Sequence, residues 1–401
     1  MTRLVHLTTA DISLELLLGP QLSAFREAGY EVIGVSAPGP FVERIEARGV
    51  RFVPLRHATR SMALGRDARA LAELRDLFRE LRPDVVHTHN PKTGVYGRLA
   101  ARAAGVPVVL NTVHGLYAQP GDALPRRAAV YGLERAASTC SQAELVQNPE
   151  DLATLRDVLH VPPRKLVLLG NGVDLERFGR DDGSDAVRAE VRAELGIPER
   201  AVVVGAVGRL VLEKGYAELL AAWSDVVARH PEAVLVVVGP QEADKADAVP
   251  AELLDRARAD GVRFLGMRDD VERLYRALDV YVLASHREGF PRSAMEAAAS
   301  GLAVVATDIR GCRQVVEPGL TGELVPVRSA PALAAAIAGL VVDGGRRRAY
   351  GLAGAELARR RFDQRAVIRT TLSTYERLLG AAGLEPPRGT AGLGPPGGAA
   401  A

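Results

Sequence analysis

Short segments in which every residue is apolar, separated by stretches with helical spacing, constrain the fold of this chain more than any other feature. Val234 to Val238 is one such segment. A strand that is apolar at every position is buried on both faces, as in a parallel sheet covered by helices. We therefore predict an α/β fold with doubly wound parallel sheets. Strands are predicted at residues 4–9, 31–37, 51–55, 85–89, 106–113, 166–169, 201–207, 233–238, 262–265, 280–284 and 303–306.

The chain divides into two similar halves. A polar, glycine-punctuated stretch at residues 174–198 separates them. We predict an N-terminal domain at 1–180 and a C-terminal domain at 181–362, followed by a helix at 363–382 that could cross back to the N-terminal domain. The Gly/Pro/Ala-rich tail at 383–401 is predicted to be disordered. Two such domains would face each other across a cleft at the carboxyl ends of their strands, where α/β sheets bind ligands.

Composition excludes several classes of protein. The chain has 51 Lys+Arg against 49 Asp+Glu and only 4% aromatic residues, so neither a global basic field nor a base-stacking surface indicates a nucleic-acid partner. No segment approaches 18 uncharged apolar residues, and the first residues lack a basic signal-peptide region. Cys140 and Cys312 match no metal or redox spacing and suit a reducing compartment. We expect a cytoplasmic protein.

Two carboxylates flank the start of a predicted helix after the strand at 280–284. Glu288 lies in the strand-to-helix loop that Gly289 and Pro291 impose, and Glu296 lies in the first turns of the helix. Such carboxylates could accept hydrogen bonds from the hydroxyl groups of a sugar or a ribose. A pair of surface acids, one of them favoured by the helix dipole, is the structural alternative.

Two cations follow the strand at 201–207. Arg209 comes directly after Gly208, and Lys214 stands where the next helix begins. Backbone N–H groups at a helix start, together with two cations, form a suitable binding place for a diphosphate. The segment is neither a GxGxxG fingerprint nor a Walker loop. A solvated turn is the structural alternative.

Histidines follow or occupy two strands of the N-terminal half. His114 comes directly after the strand at 106–113, where it could bond a sugar hydroxyl or a developing charge; a purely structural role is the alternative. His87 and His89 alternate along one strand, so both rings point to the same face. No third ligand accompanies this pair in the sequence, and we therefore expect no metal site.

Together these segments resemble the family-four glycosyltransferases of the GT-B type, over about residues 1–380. The pattern rests on the order and spacing of six motifs: Glu288 to Glu296, Gly208-Arg209 to Lys214-Gly215, Asn171 to Asp174, His114-Gly115, Gly266 before Asp270, and Thr321 to Val325. The segments at 87–105 and 308–313 look most like bacterial enzymes that extend polyprenyl-diphosphate-linked or surface glycans.

The resemblance implies two Rossmann-like domains, a nucleotide-sugar held mainly by the C-terminal one, and transfer with retention and without metal or other cofactor. A UDP-linked hexose or N-acetylhexosamine is the expected donor. Arg209 and Lys214 would hold the donor diphosphate, and Glu296 the ribose. By the same resemblance, Glu288 would contact hydroxyls of the transferred sugar, and Gly289, Phe290 and Pro291 would belong to the donor site. Backbone groups near Gly266 and Met267 would contact the base, and the anomeric centre would lie near His114.

The acceptor is expected on the loops of the N-terminal domain, where Asn90, Lys92 and Tyr117 are candidate contacts. Arg126 and Arg127 could meet anionic lipid headgroups, which suits a polyprenyl-diphosphate-linked glycan and a peripheral position at the inner face of the membrane. A small soluble acceptor stays open, as does the oligomeric state. Two other functions also stay open: a UDP-sugar 2-epimerase-like enzyme and a catalytically silent nucleotide-sugar-binding partner.

Overall fold

The computed structural model describes residues 1–57, 64–89, 91–119, 121–179, 184–242 and 245–387. It consists of two units. The first comprises Met1–Gly170 and the segment from Arg365 onward, and the second comprises Asn171–Gln364. The first unit thus ends before the predicted boundary at residue 180 and also includes the C-terminal helix. From residue 388 onward, the predicted tail lies outside the described residues.

The first unit contains a seven-stranded parallel sheet in the order β3-β2-β1-β4-β5-β6-β7. Its strands are β1 (Arg3–Ala10), β2 (Glu31–Ala37), β3 (Arg51–Pro54), β4 (Val85–His89), β5 (Val108–Val113), β6 (Ala143–Val146) and β7 (Leu166–Leu168). Its α-helices are α1 (Gly19–Glu27), α2 (Val42–Ala47), α3 (Leu64–Leu81), α4 (Pro91–Ala104), α5 (Leu124–Ser138) and α6 (Pro149–Ala153).

The second unit contains a six-stranded parallel sheet in the order β10-β9-β8-β11-β12-β13. Its strands are β8 (Val203–Val207), β9 (Val234–Val238), β10 (Arg263–Phe264), β11 (Val280–Leu283), β12 (Ala303–Thr307) and β13 (Gly322–Val325). Its α-helices are α7 (Leu175–Phe178), α8 (Ser184–Glu194), α9 (Tyr216–Arg229), α10 (Ala251–Ala259), α11 (Val271–Ala277), α12 (Arg292–Ala299), α13 (Ala330–Val342) and α14 (Gly344–Arg361). Helix α15 (Gln364–Ala381) follows and packs on the first unit.

Each sheet is covered by apolar side chains on both faces. In β1, Leu4 packs in the cluster that includes Phe25 and Leu379, whereas Val5 packs on the opposite face with Phe78. The second sheet alternates in the same way between two clusters. This two-sided burial is what the continuous apolar segments require, and it confirms the predicted parallel α/β architecture.

Two strands were not predicted, β6 and β13. Strand β6 has Glu144 in its middle, which breaks the apolar pattern. In the structure this carboxylate is fully buried and accepts a hydrogen bond from Arg98 Nη1 at 2.8 Å. A buried, ion-paired carboxylate therefore lies at a strand position where the pattern of a buried strand predicts an apolar side chain.

Candidate active site

Lys214 and Glu288 meet at the carboxyl edge of the second sheet. Lys214 ends a short 3-10 turn after β8, and Glu288 lies in the loop after β11. Lys214 Nζ lies 2.6 Å from Glu288 Oε1, which also accepts a hydrogen bond from Ser285 Oγ at 2.7 Å. The carboxylate is therefore fixed by a cation and a hydroxyl at once.

Gly215 explains why these two loops approach each other so closely. Its φ is +72°, in the left-handed region, and a Cβ at this position would collide with the carbonyl oxygen of Ala284. Only glycine satisfies both conditions. On the other side of the Glu288 loop, a Cβ on Gly311 would lie 2.6 Å from the carbonyl oxygen of Glu288. The loops after β8, β11 and β12 are thereby packed backbone against backbone.

Arg209 lies on the same edge but is paired differently. Its Nη1 donates to Glu242 Oε2 at 2.7 Å, and Lys245 Nζ lies 2.9 Å from the same oxygen. Burial would raise the pKa of Glu242, but the hydrogen bonds from Lys245 and Arg209 lower it. The Arg209 side chain remains 43% exposed, and a guanidinium has five N–H donors, so donors remain for an anionic ligand. Sequence reasoning did not identify Glu242.

Glu296 is held toward the protein interior. It accepts hydrogen bonds from Arg292 Nε at 3.1 Å and from the Tyr275 hydroxyl at 3.2 Å. Burial raises the pKa of this carboxyl, and the Arg292 charge and the Tyr275 hydrogen bond oppose the shift. The structure therefore excludes an exposed surface acid at this position.

The remaining predicted donor contacts lie on two loops of the second unit. The Gly266 carbonyl oxygen accepts a hydrogen bond from Gly239 N at 2.8 Å, which joins the loops after β9 and β10, and Met267 is exposed beside it. Phe290 packs edge-on against Phe362, and its carbonyl oxygen accepts from Asn171 Nδ2 at 3.2 Å. Gly289 and Pro291 flank Phe290, and Pro291 is the N-cap of α12.

In the first unit, His114 follows β5 and contacts His89. His114 Nε2 lies 3.0 Å from His89 Nδ1. Burial lowers the pKa of His114 to about 4, although a hydrogen bond with Gln147 opposes this shift. The ring is therefore neutral at pH 7. A neutral imidazole can accept or donate a hydrogen bond but supplies no positive charge.

The acceptor candidates belong to the first unit as well. Lys92 Nζ lies 2.5 Å from Asp67 Oδ1, and this ion pair is largely buried. Tyr117 is 57% exposed, with the Arg126 guanidinium 5.4 Å from the centre of its ring. Asn90 lies outside the described residues. The structure thus provides one exposed aromatic candidate and one cation that is already paired.

Among the described residues, one group of three side chains brings potential metal-ligand atoms within 4.8 Å of one another: His6, His87 and His89. The expectation that His87 and His89 lack a third ligand is therefore wrong, because His6 on β1 pairs in register with His87 on β4. All three rings are hydrogen-bonded within the protein, however: His6 Nδ1 lies 2.9 Å from His89 Nε2, and His87 bonds Tyr375 and Thr112. Each of the three rings therefore has a partner within the protein.

The two parallel-sheet units, with charged side chains at the carboxyl edge of the second, have the architecture of the GT-B glycosyltransferases. Residues 21–177 match the family described as Glycosyltransferase Family 4, and residues 187–356 match Glycosyl transferases group 1. An Escherichia coli protein, UDP-Gal:alpha-D-GlcNAc-diphosphoundecaprenol alpha-1,3-galactosyltransferase, is 32% identical over 68% of this chain and 70% of its own length. The chain belongs to glycosyltransferase family 4, as the resemblance indicated.

Other relatives extend the comparison. D-inositol 3-phosphate glycosyltransferase of Xylanimonas cellulosilytica is 37% identical over 70% of this chain and 68% of its own length. Among solved structures, sucrose-phosphate synthase of Thermosynechococcus elongatus has a TM-score of 0.80 at 22% identity and covers 95% of this chain and 100% of its own. Anabaena HepE in complex with UDP has a TM-score of 0.76 at 21% identity and covers 94% of this chain and 100% of its own. These structures share the fold.

Proposed function

We propose that this glycosyltransferase transfers a hexose or N-acetylhexosamine from a UDP-linked donor, with retention, and that the second unit binds the donor. The observation that carries the proposal is the contact between Lys214 and Glu288 at the carboxyl edge of the second sheet, at 2.6 Å. The name of the Escherichia coli relative specifies a UDP-galactose donor. HepE, which has the same fold, binds UDP.

The charges at this edge suit a leaving diphosphate. As the glycosidic bond breaks, the UDP group gains negative charge, and fixed cations beside it stabilise the transition state. Lys214 and the exposed guanidinium of Arg209 would supply this charge, so we expect no requirement for a metal ion or another cofactor. Both cations are already paired with carboxylates, which holds them in place before the donor arrives.

The carboxylates would orient the sugar and the nucleoside. Glu288 would accept hydrogen bonds from hydroxyls of the transferred sugar, next to backbone groups of Gly289, Phe290 and Pro291. Glu296 would bind the ribose, and the loop with Gly266 and Met267 would contact the base. In the first unit, His114 would contact the transferred sugar through a neutral imidazole ring.

For the acceptor, we propose a polyprenyl-diphosphate-linked glycan at a membrane surface. The Escherichia coli relative is named for an acceptor of this kind. In this chain, Leu124 at the start of α5 is 69% exposed, and Arg126 in the same turn is exposed with its guanidinium 5.4 Å from the centre of the exposed Tyr117 ring. An exposed apolar and cationic helix start is complementary to anionic lipid headgroups. None of the described helices is both long and apolar enough to cross a bilayer.

A small soluble acceptor is the second candidate, because the Xylanimonas relative is named for D-inositol 3-phosphate. The two are separated by incubating UDP-galactose, UDP-glucose or UDP-N-acetylglucosamine with either undecaprenyl-diphosphate-linked N-acetylglucosamine or D-inositol 3-phosphate, in the presence of EDTA. We expect transfer to the lipid-linked acceptor, and an anomeric proton coupling in the product that matches the donor. Transfer to inositol phosphate alone would contradict the membrane proposal, and inversion would contradict retention.

A further inference from the structure

Six side chains of the first unit form an unbroken chain of hydrogen bonds, here called the histidine chain. Its members, in order, are Thr112, His87, Tyr375, His6, His89 and His114. Four of its five links are short: 2.7 Å from Thr112 Oγ1 to His87 Nε2, 2.5 Å from His87 Nδ1 to the Tyr375 hydroxyl, 2.9 Å from His6 Nδ1 to His89 Nε2, and 3.0 Å from His89 Nδ1 to His114 Nε2. The Tyr375 hydroxyl completes the chain at 3.4 Å from His6 Nε2.

The sheet and α15 produce this arrangement. His6 and His87 are in register on neighbouring strands, and the side-chain alternation of β4 puts His89 on the same face as His87. Helix α15 covers this face and brings the hydroxyl of Tyr375 between His6 and His87. The His6 ring also stacks on Phe25 at 5.3 Å between centroids, so the rings have little freedom to rotate.

Burial keeps all four imidazoles neutral. His6, His87 and His89 are at most 1% exposed, and burial lowers the pKa of His6 to about 3 and those of His87 and His89 well below the ordinary value. A neutral imidazole has one N–H donor and one nitrogen acceptor, and a hydroxyl has a single proton to donate. Each link of the chain therefore fixes the direction of the next one.

The hydroxyl at the start of the chain determines that direction. Thr112 is buried, and in the part of the chain that the structure describes its Oγ1 has one side-chain partner, His87 Nε2. A buried hydroxyl proton needs an acceptor, so Thr112 donates to His87 Nε2 and the proton of His87 lies on Nδ1. It follows that His87 Nδ1–H donates to Tyr375, that Tyr375 donates to His6 Nε2, and that His6 Nδ1–H donates to His89 Nε2. His89 Nδ1–H then donates to His114 Nε2, which leaves the proton of His114 on Nδ1.

We propose that His6 and His89 are positioning residues that hold His114 as a single neutral tautomer, with Nδ1 protonated and the ring plane fixed. The Nε2 of His114 is then used within the protein, and the one N–H of the ring lies on Nδ1. Its contribution to sugar transfer, which rests on the proposed function, is a ring of fixed orientation at the end of β5 and not a group that exchanges protons with the substrate.

The direct test is a long-range ¹H–¹⁵N spectrum of the full chain labelled at histidine. We expect His6, His87, His89 and His114 in the Nδ1–H form. The matched variants are His89→Leu, which cannot bond His114, and His89→Asn, whose amide nitrogen can donate from the place of Nδ1. His114 should become a mixture of tautomers in the first and keep its tautomer in the second.

An Nε2–H or mixed His114 in the unmodified protein, or an unchanged His114 tautomer in His89→Leu, would overturn the proposal. If His89→Leu does not fold, Thr112→Val removes a hydroxyl at nearly constant volume. His87 should then lose its single Nδ1–H form, and an unaltered His87 spectrum would count against the chain.

Activity provides an independent measurement. His89→Leu should lower kcat about 10- to 100-fold, as a misplaced group near a reacting centre does, while the thermal shift with UDP stays unchanged and His89→Asn restores most of the rate. Equal kcat in all three proteins would contradict the positioning role. If UDP causes no thermal shift in the unmodified protein, the proposed donor is contradicted, whereas the tautomers seen in the NMR spectrum still test the histidine chain. The two failures are therefore distinguishable.

Discussion

Lys214 Nζ and Glu288 Oε1 lie 2.6 Å apart although 73 residues separate them in sequence, and the pair forms where the loops after β8 and β11 pack against each other. Because Gly215 lies against the backbone of Ala284, the position of the cation is built into the loop packing. The ion pair is only partly buried, so we attribute to it preorganisation of the site more than stability of the fold.

Replacing Lys214 by alanine should weaken UDP binding. Loss of one charge-assisted hydrogen bond to a phosphate costs about 1.5–3 kcal/mol, which corresponds to roughly a 10- to 150-fold increase in Kd. The measurement is a UDP titration by calorimetry. Lys165→Ala in the first unit is the matched control, because Lys165 bonds the Ser138 carbonyl oxygen and is remote in sequence from the donor loops. An unchanged Kd in Lys214→Ala would remove this residue from the donor site.

Replacing Glu288 by glutamine should lower turnover while UDP binding changes little. Glutamine keeps the shape of the side chain and can still bond Ser285, but it removes the negative charge that faces Lys214 and the sugar hydroxyls. Steady-state rates at saturating donor test this, with the urea midpoint as a control for folding. If kcat stays at the unmodified value, Glu288 is not a sugar contact.

The sequence patterns predict the fold well because a strand that is buried on both faces of a parallel sheet is apolar at every position, as in Val234 to Val238. They also predict which loops carry charge. They do not show that Arg209 pairs with Glu242, because that contact depends on how the loops after β8 and β9 fold. His6 was missed for a similar reason: a single histidine in an apolar strand shows its partners only when strand register is known.

Helix α5 should bind anionic vesicles. Leu124→Asp places a charge at a strongly exposed apolar position and should reduce co-sedimentation with phosphatidylglycerol-containing vesicles several-fold, since apolar insertion and cationic attraction act together. Leu352→Asp is the matched control, because Leu352 is also highly exposed but lies on α14 of the second unit. Equal loss in both variants, or no binding by the unmodified protein, would contradict the proposed surface.

Arg98 should be essential for the stability of the first unit. Its side chain is fully buried and bonds Glu144 at 2.8 Å and Glu134 at 2.7 Å, so Arg98→Met leaves two carboxylates without their cation. Breaking a buried ion pair from one side costs about 3–5 kcal/mol. Urea denaturation should show this loss, whereas Arg102→Met, at an exposed position of the same helix, should change the unfolding free energy by less than about 0.5 kcal/mol.

The buried histidines should make the protein less stable in mild acid. Unfolded histidines have a pKa of about 6.5. Burial lowers the pKa of His6 to about 3 and that of His114 to about 4, so below pH 6.5 the unfolded chain takes up protons that the folded chain does not. The free energy of unfolding must then fall as the pH falls, by about 2 kcal/mol for each such ring between pH 7 and pH 5.

The effect of a single ring is measured by comparison with a variant. Buried acids such as Glu296, whose pKa burial raises, change stability in the opposite direction and do so equally in both proteins. Urea denaturation of His89→Asn should therefore show a pH slope smaller by about one proton than that of the unmodified chain. Identical slopes in His89→Asn and the unmodified protein would mean that His89 is protonated in the folded state.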